Sequence, residues 1–169
     1  QIYSRLAQRE DVTVVSIAPD KRKDVAERAR LIDSVDVAIL CLPDGAAREV
    51  VGLVASPTGK ILDASTAHRT HPNWVYGLPE LAPGQRAAIA KAHRVSNPGC
   101  YPTGFLTAMK PLVVSGLIPA SFPVTINASS GYSGGGRKLI EIYKGYQDES
   151  APTYPYGLYG LTFGHKHVE

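Results

Sequence analysis

The chain has 169 residues, 44% of them hydrophobic and 20% charged, with a formal net charge of +3. That balance excludes intrinsic disorder, and with no basic run longer than Lys21-Arg22-Lys23 neither nucleic acid nor a membrane surface is an expected partner. The apolar runs fall far short of the ~20 residues of a membrane helix. No charged leader or small-residue cleavage site is readable, and two cysteines, Cys41 and Cys100, fit a reducing, cytoplasmic setting.

Gln1–Arg9 has Ile2 and Leu6 at helical spacing. The β-branched run Val12–Ala18, stopped by Pro19-Asp20, predicts a buried strand with its exit turn, and the basic cluster Lys21–Lys23 follows at once. Val25–Ile32 predicts a short helix, Val35–Leu42 a strand closed by Pro43-Asp44-Gly45, Ala46–Ala55 a helix and Lys60–Asp63 a strand. Strands alternating with helices across short turns are the α/β signature, and strands apolar on both faces imply a parallel sheet. Cys41, inside an apolar strand, reads as core.

Beyond Asp63 the texture turns small and polar through Ala64–His71, and Pro72–Pro79 holds the only Trp. A helix over Pro83–Ala92 and a strand over Arg94–Ser96 lead to Asn97-Pro98-Gly99-Cys100-Tyr101-Pro102-Thr103 and a helix predicted over Gly104–Val114. Val124–Ala128 predicts a strand that runs into the glycine-rich Ser129–Arg137, with a helix over Lys138–Tyr143 and a Tyr- and Pro-rich loop over Gly145–Gly160. A domain boundary falls near Ser96–Thr103, giving residues 1–98 and 99–169.

Cys100 follows a strand and precedes a helix with Pro102 in its first turn, where the missing N–H costs nothing. Peptide dipoles and free N–H groups at such a position stabilise a thiolate, which makes a nucleophile; Gly99 clears room for a flat acyl group. A buried structural thiol is the alternative, and Asn-Pro-Gly and Tyr-Pro make a poor core environment for one. A nucleophilic cysteine needs a proton partner, and His165 and His167, two apart in Gly164-His165-Lys166-His167, share one face of an extended segment. They also suit metal ligation, although Glu169 is the only third donor nearby and no metal is expected, or a solvated basic tail. The Ser129–Arg137 segment either brings backbone amides against a phosphate or nicotinamide or is a plain connector. Lys21–Lys23 beside Asp20 is where an α/β nucleotide fold would meet the adenosine ribose, basic residues there accommodating NADP and an acid favouring NAD, or else it is a solvated turn. Arg69 and Arg137 are candidate holders of an anionic substrate, or surface arginines.

Ser96–Thr103 resembles the active-cysteine motif of the N-acetyl-gamma-glutamyl-phosphate reductases. Tyr76-Gly77-Leu78-Pro79-Glu80-Leu81, Ser129–Arg137 and Gly164–His167 are similar to that family in order and setting, and Cys41–Gly45 and Ala64–Arg69 resemble its shorter, second type. The resemblance implies a Rossmann-like parallel sheet, whose first strand and glycine-rich loop would precede Gln1, joined to the start of an α+β catalytic domain of the semialdehyde dehydrogenase type that would continue beyond Glu169. It implies Cys100 as nucleophile and His165 as acid/base, with His167 as substitute or substrate contact, and Asn97, Arg69, Arg137 and Tyr159 near the substrate. Leu42, Pro43, Ser65, Ser133 and Gly134 would border NADPH. The implied substrate is a small acyl phosphate and the implied assembly a homo-oligomer, dimer or tetramer. The same chemistry on N-acetyl-aminoadipyl or aspartyl phosphate, a nicotinamide-free cysteine hydrolase and a non-catalytic module are the rival readings.

Overall fold

Periodicity and caps place the first helices of the structure, a computed structural model that describes residues 2–56, 59–144 and 156–158. Helix α1 covers Ile2–Leu6 and α2 covers Val25–Asp33. Asp24 caps α2 by accepting the Glu27 N–H at 3.0 Å, which satisfies one of the donors a helix start leaves over. Strand β1 (Val37–Leu40) leads to α3 (Asp44–Gly52), then to β2 (Lys60–Asp63), β3 (Val75–Tyr76), α4 (Gln85–Lys91) and β4 (Arg94–Ser96). Helix α5 covers Cys100–Val114 and α6 covers Gly136–Lys144.

The four strands form one sheet in the order β1-β2-β4-β3, and every pairing is parallel. Leu40 pairs with Asp63, Asp63 with Ser96, and Ser96 with Tyr76, so all four strands end on one line across the sheet. The core sits on one face, where Ala38, Leu40, Val50 and Ile61 are buried together and Ile32, Val35, Leu42, Val51, Val54 and Trp74 pack around them. Gly77 is required by close approach: a Cβ there would lie 2.9 Å from the Ser96 carbonyl oxygen, to which the Gly77 N–H donates at 2.8 Å.

The parallel α/β reading holds, with three corrections in this half of the chain. Val12–Ala18 is not a strand; no ladder partner pairs with it among the described residues, and β-branched composition alone cannot supply one. Burial of β1 is one-sided rather than two-sided, since Val37 and Ile39 remain 50% and 37% exposed on the face opposite Ala38 and Leu40. Cys41 is exposed rather than core, because β1 ends at Leu40 and the cysteine falls in the turn beyond it.

The chain divides into two compact units, residues 1–103 and 104–169. In the second, the strand expected at Val124–Ala128 has no ladder among the described residues, and Val124 and Ile126 are exposed. A 3₁₀ turn over Tyr132–Gly135 leads directly into α6, and Tyr132 stacks on Tyr143 with ring centroids 5.4 Å apart. Gly135 has its own packing reason, since a Cβ there would collide with the Leu139 side chain.

Candidate active site at the carboxyl edge of the sheet

Because the parallel strands end in register, the turns that follow them share one edge, the place where open α/β sheets hold ligands. Cys41, Leu42 and Pro43 follow β1, Ala64 and Ser65 follow β2, and Asn97–Cys100 follow β4. Cys100 is exposed and is itself the first residue of α5, a 15-residue helix that begins four positions earlier than periodicity predicts. The early start is fixed locally: the Thr103 N–H and hydroxyl both donate to the Gly99 carbonyl, at 3.0 and 2.7 Å, and Pro102 fits the first turn. Gly99, the residue before the cysteine, is buried.

Asp63 organises the edge. It is fully buried, its carboxylate accepts the Ser65 N–H at 2.9 Å and the Ser65 hydroxyl at 2.7 Å, and His68 Nδ1 lies 2.6 Å away. A carboxylate only accepts, which assigns a hydrogen to Nδ1. The buried His68 ring stacks on Trp74 with centroids 4.1 Å apart. Thr66 is held from the other side, its N–H donating to Asp44 at 3.0 Å and its hydroxyl to the same carboxylate.

These bonds fix the turn that ends in Arg69. Arg69 Nε donates to the Asn97 carbonyl at 3.0 Å and Nη2 to the Ala64 carbonyl at 3.4 Å. Its Nη1 is buried with no hydrogen-bond partner among the described residues. An unspent donor of this kind calls for an explanation, and a site for an anion is one. The Asn97 N–H is spent on the Asp63 carbonyl at 2.7 Å, and its amide donates to the Pro98 carbonyl at 3.0 Å. Burial pushes the Tyr76 phenol up, and the Arg69 charge pulls it partly back.

The remaining expected site residues divide. Half-buried Leu42 and exposed Pro43 lie in the turn that follows β1. Ser65 lies there too, but its hydroxyl is committed to Asp63 and to the Ala67 N–H, which donates to it at 3.1 Å. Arg137 is exposed and its Nε donates to Glu141 at 2.6 Å, one turn along α6. Ser133 and Gly134 are exposed in the 3₁₀ turn of the second unit. Tyr159, His165 and His167 lie outside the described residues. Sequence reasoning passed over Asp63, His68, Asp44 and Trp74; the signal for Asp63 was an acid closing an apolar strand.

Residues 3–92 match the family model described as semialdehyde dehydrogenase, NAD binding domain, and residues 100–169 match that of its dimerisation domain. The chain belongs to the semialdehyde dehydrogenase family. Similar curated proteins include N-acetyl-gamma-glutamyl-phosphate reductase of Trichormus variabilis, 63% identical over all of this chain and 53% of the relative. N-acetyl-gamma-glutamyl-phosphate reductase 2 of a Nostoc species is 62% identical over the same shares. The reductase of a Chelativorans species is 51% identical over 99% of this chain and 53% of its own length. The chain thus spans about half the length of the curated relatives it matches. Its edge fits a nicotinamide nucleotide: α3 starts there without a side-chain cap, leaving backbone N–H groups beside an apolar rim of Leu42 and Pro43. Among the described residues no group of three His, Cys, Asp or Glu could hold a metal, and no helix is long and apolar enough to cross a membrane.

Proposed function

We propose that the protein containing this chain reduces N-acetyl-gamma-glutamyl phosphate to N-acetyl-glutamate semialdehyde with NADPH, releasing phosphate, as a cytoplasmic step of arginine biosynthesis. The observation that carries the reading is Cys100, an exposed thiol on the first residue of a long helix at the carboxyl edge of a parallel sheet. Relatives named for that reaction at 62–63% identity across the whole chain support it.

In this reading residues 1–98 are the cofactor part and 99–169 open the catalytic part. The Cys100 sulfur attacks the acyl carbon, the carbon–oxygen bond to phosphate breaks, and phosphate leaves with the bonding pair, so a thioester joins substrate to protein. Bound NADPH supplies the hydride that reduces the thioester carbon. The Cys100 N–H at the start of α5 stabilises the oxyanion, since the Thr103 N–H is spent on the Gly99 carbonyl, Pro102 has none and the Asn97 N–H is spent on Asp63. His165 lends a proton to the oxyanion and takes it back as the carbon–sulfur bond breaks, so that the aldehyde carbonyl forms and the sulfur leaves as thiolate, with His167 as its substitute or as a substrate contact. Arg69 holds the phosphate or the side-chain carboxylate through Nη1, and Arg137 is the second candidate cation. Leu42, Pro43 and Ser65 line the cofactor side, with Ser133 and Gly134 as backbone contributors and Tyr159 near the substrate. The preference for NADPH rests on exposed Lys21, which ends the 3₁₀ turn Pro19–Lys21, and on exposed Arg22 and Lys23 after it. The matched dimerisation domain supports a homo-oligomer, dimer or tetramer.

Steady-state rates of the full-length protein on N-acetyl-glutamyl, N-acetyl-aminoadipyl and aspartyl phosphates, with NADPH and with NADH, test the assignment. The glutamyl substrate with NADPH should give the highest kcat/KM. One methylene is worth only ~1–3 kcal/mol of discrimination, so the aminoadipyl compound is the informative competitor. Phosphate release without oxidation of the nucleotide would replace the reductase with a hydrolase.

A further inference from the structure

Asp63 and His68 do no chemistry in the mechanism above, yet both are buried in one hydrogen-bonded polar cluster at the edge. A buried carboxylate is costly unless its lone pairs are met, and here three donors converge on it: the Ser65 N–H, the Ser65 hydroxyl and His68 Nδ1. Stacking on Trp74 bars the His68 ring from turning away. The main chain of the same aspartate reaches the other side of the site, its carbonyl accepting the Asn97 N–H at 2.7 Å. Arg69 follows His68 directly and closes the circuit by donating from Nε to the Asn97 carbonyl. One buried residue therefore grips the turn bearing Arg69 with its side chain and the turn leading to Cys100 with its backbone.

We infer that Asp63 and His68 are positioning residues: the buried pair locks the Ala64–Arg69 turn so that Arg69 bridges to Asn97 and keeps Nη1 unspent for the anionic group of the substrate. This rests on the reading of Arg69 as the anion holder, and it assigns the turn's rigidity to the His68 hydrogen bond rather than to the bulk of the ring.

The two contributions separate by substitution in the full-length protein. His68→Phe keeps an aromatic face on Trp74 and loses the hydrogen bond; His68→Asn loses the stack and restores a donor near the position of Nδ1. The expected result is a KM for the acyl phosphate raised ~10-fold in His68→Phe, with kcat and the NADPH Kd within about twofold of the parent, and most of the loss recovered in His68→Asn. In an Arg69→Ala background His68→Phe should add less than about twofold, because the residue it positions is gone. Protection of Arg69 from phenylglyoxal by inorganic phosphate, mapped by mass spectrometry, reads the same geometry without turnover, and His68→Phe should need ~10-fold more phosphate. If the parent does not reduce the acyl phosphate, the proposed function fails while this protection shift still decides the positioning role. Equal KM and protection in parent and His68→Phe would overturn the inference. So would an undiminished effect in the Arg69→Ala background, or a loss spread equally over KM, kcat and NADPH binding. Should His68→Phe not fold, Ser65→Ala removes one bond to Asp63 and is expected to raise both readouts ~3-fold; no rise counts against the proposal.

Discussion

Arg69 Nε donates to the carbonyl oxygen of Asn97 at 3.0 Å, tying the turn after β2 to the turn that delivers Cys100. A guanidinium fixed this way by one nitrogen presents the others in a set plane, which a lysine cannot imitate. Arg69→Lys is therefore expected to weaken the acyl phosphate almost as much as Arg69→Ala. A charge-assisted hydrogen bond lost from a partly buried site is worth ~1.5–3 kcal/mol, or roughly 10- to 150-fold in KM. Initial rates over a range of substrate concentrations check this, and a lysine variant with parental KM would sink it.

Cys100→Ala should abolish semialdehyde formation in the full-length protein while leaving the NADPH Kd within about threefold, since the sulfur forms the covalent bond and holds no part of the cofactor. Turnover assays and calorimetry on the same preparation give both numbers. Cys41 is the internal control: it is also exposed, on the same edge after β1, and Cys41→Ala is expected to retain activity. Residual turnover in Cys100→Ala would move the nucleophile elsewhere.

The strands Lys60–Asp63 and Arg94–Ser96 were legible residue for residue because short apolar runs bounded by Gly, Pro and Asn have few other ways to fold. Val12–Ala18 has the same composition and makes no ladder, which shows what composition lacks: a strand is a property of a pair, and the partner is not local. Cys41 misled for a related reason, since an apolar neighbourhood in sequence says nothing of where the strand stops. At the site, Cys100 was legible from Pro102 and the flanking glycine, features acting within one turn. The Asp63–His68 pair was not, because five residues of irregular turn must close on a buried carboxylate before the two meet, with the Trp74 ring stacked on the histidine. Arg137 carried the right charge, but a glutamate one turn along α6 now shares it.

Gly77 has no tolerance for a side chain. Its missing Cβ would stand 2.9 Å from the Ser96 carbonyl oxygen and 3.0 Å from Val95 Cγ1, and both belong to β4 in the buried sheet. Gly77→Ala must push β3 away from β4 or lose the Gly77–Ser96 hydrogen bond, at a cost of about 1–3 kcal/mol. Denaturant or thermal unfolding should show that loss. The same strand leads into Cys100, so kcat/KM should fall with it, whereas Gly45→Ala, where nothing lies within 4 Å, serves as the neutral comparison for stability.

Tyr76 offers a pH signature of the same edge. Burial holds its phenol protonated above the ordinary value of 10.0, and the positive charge of Arg69 acts in the opposite direction. The folded chain therefore keeps a proton that the unfolded chain has already released. Over that interval the unfolded state binds fewer protons, so stability falls as pH rises from about 10 through the folded value. Tyr76→Phe should flatten this alkaline loss, and the difference between parent and variant in ultraviolet absorbance titrations isolates the one phenol from the chain's nine tyrosines. Arg69→Ala removes the opposing charge and should move the Tyr76 transition further upward. A downward or absent shift in that variant would mean that Arg69 does not face Tyr76 across the site.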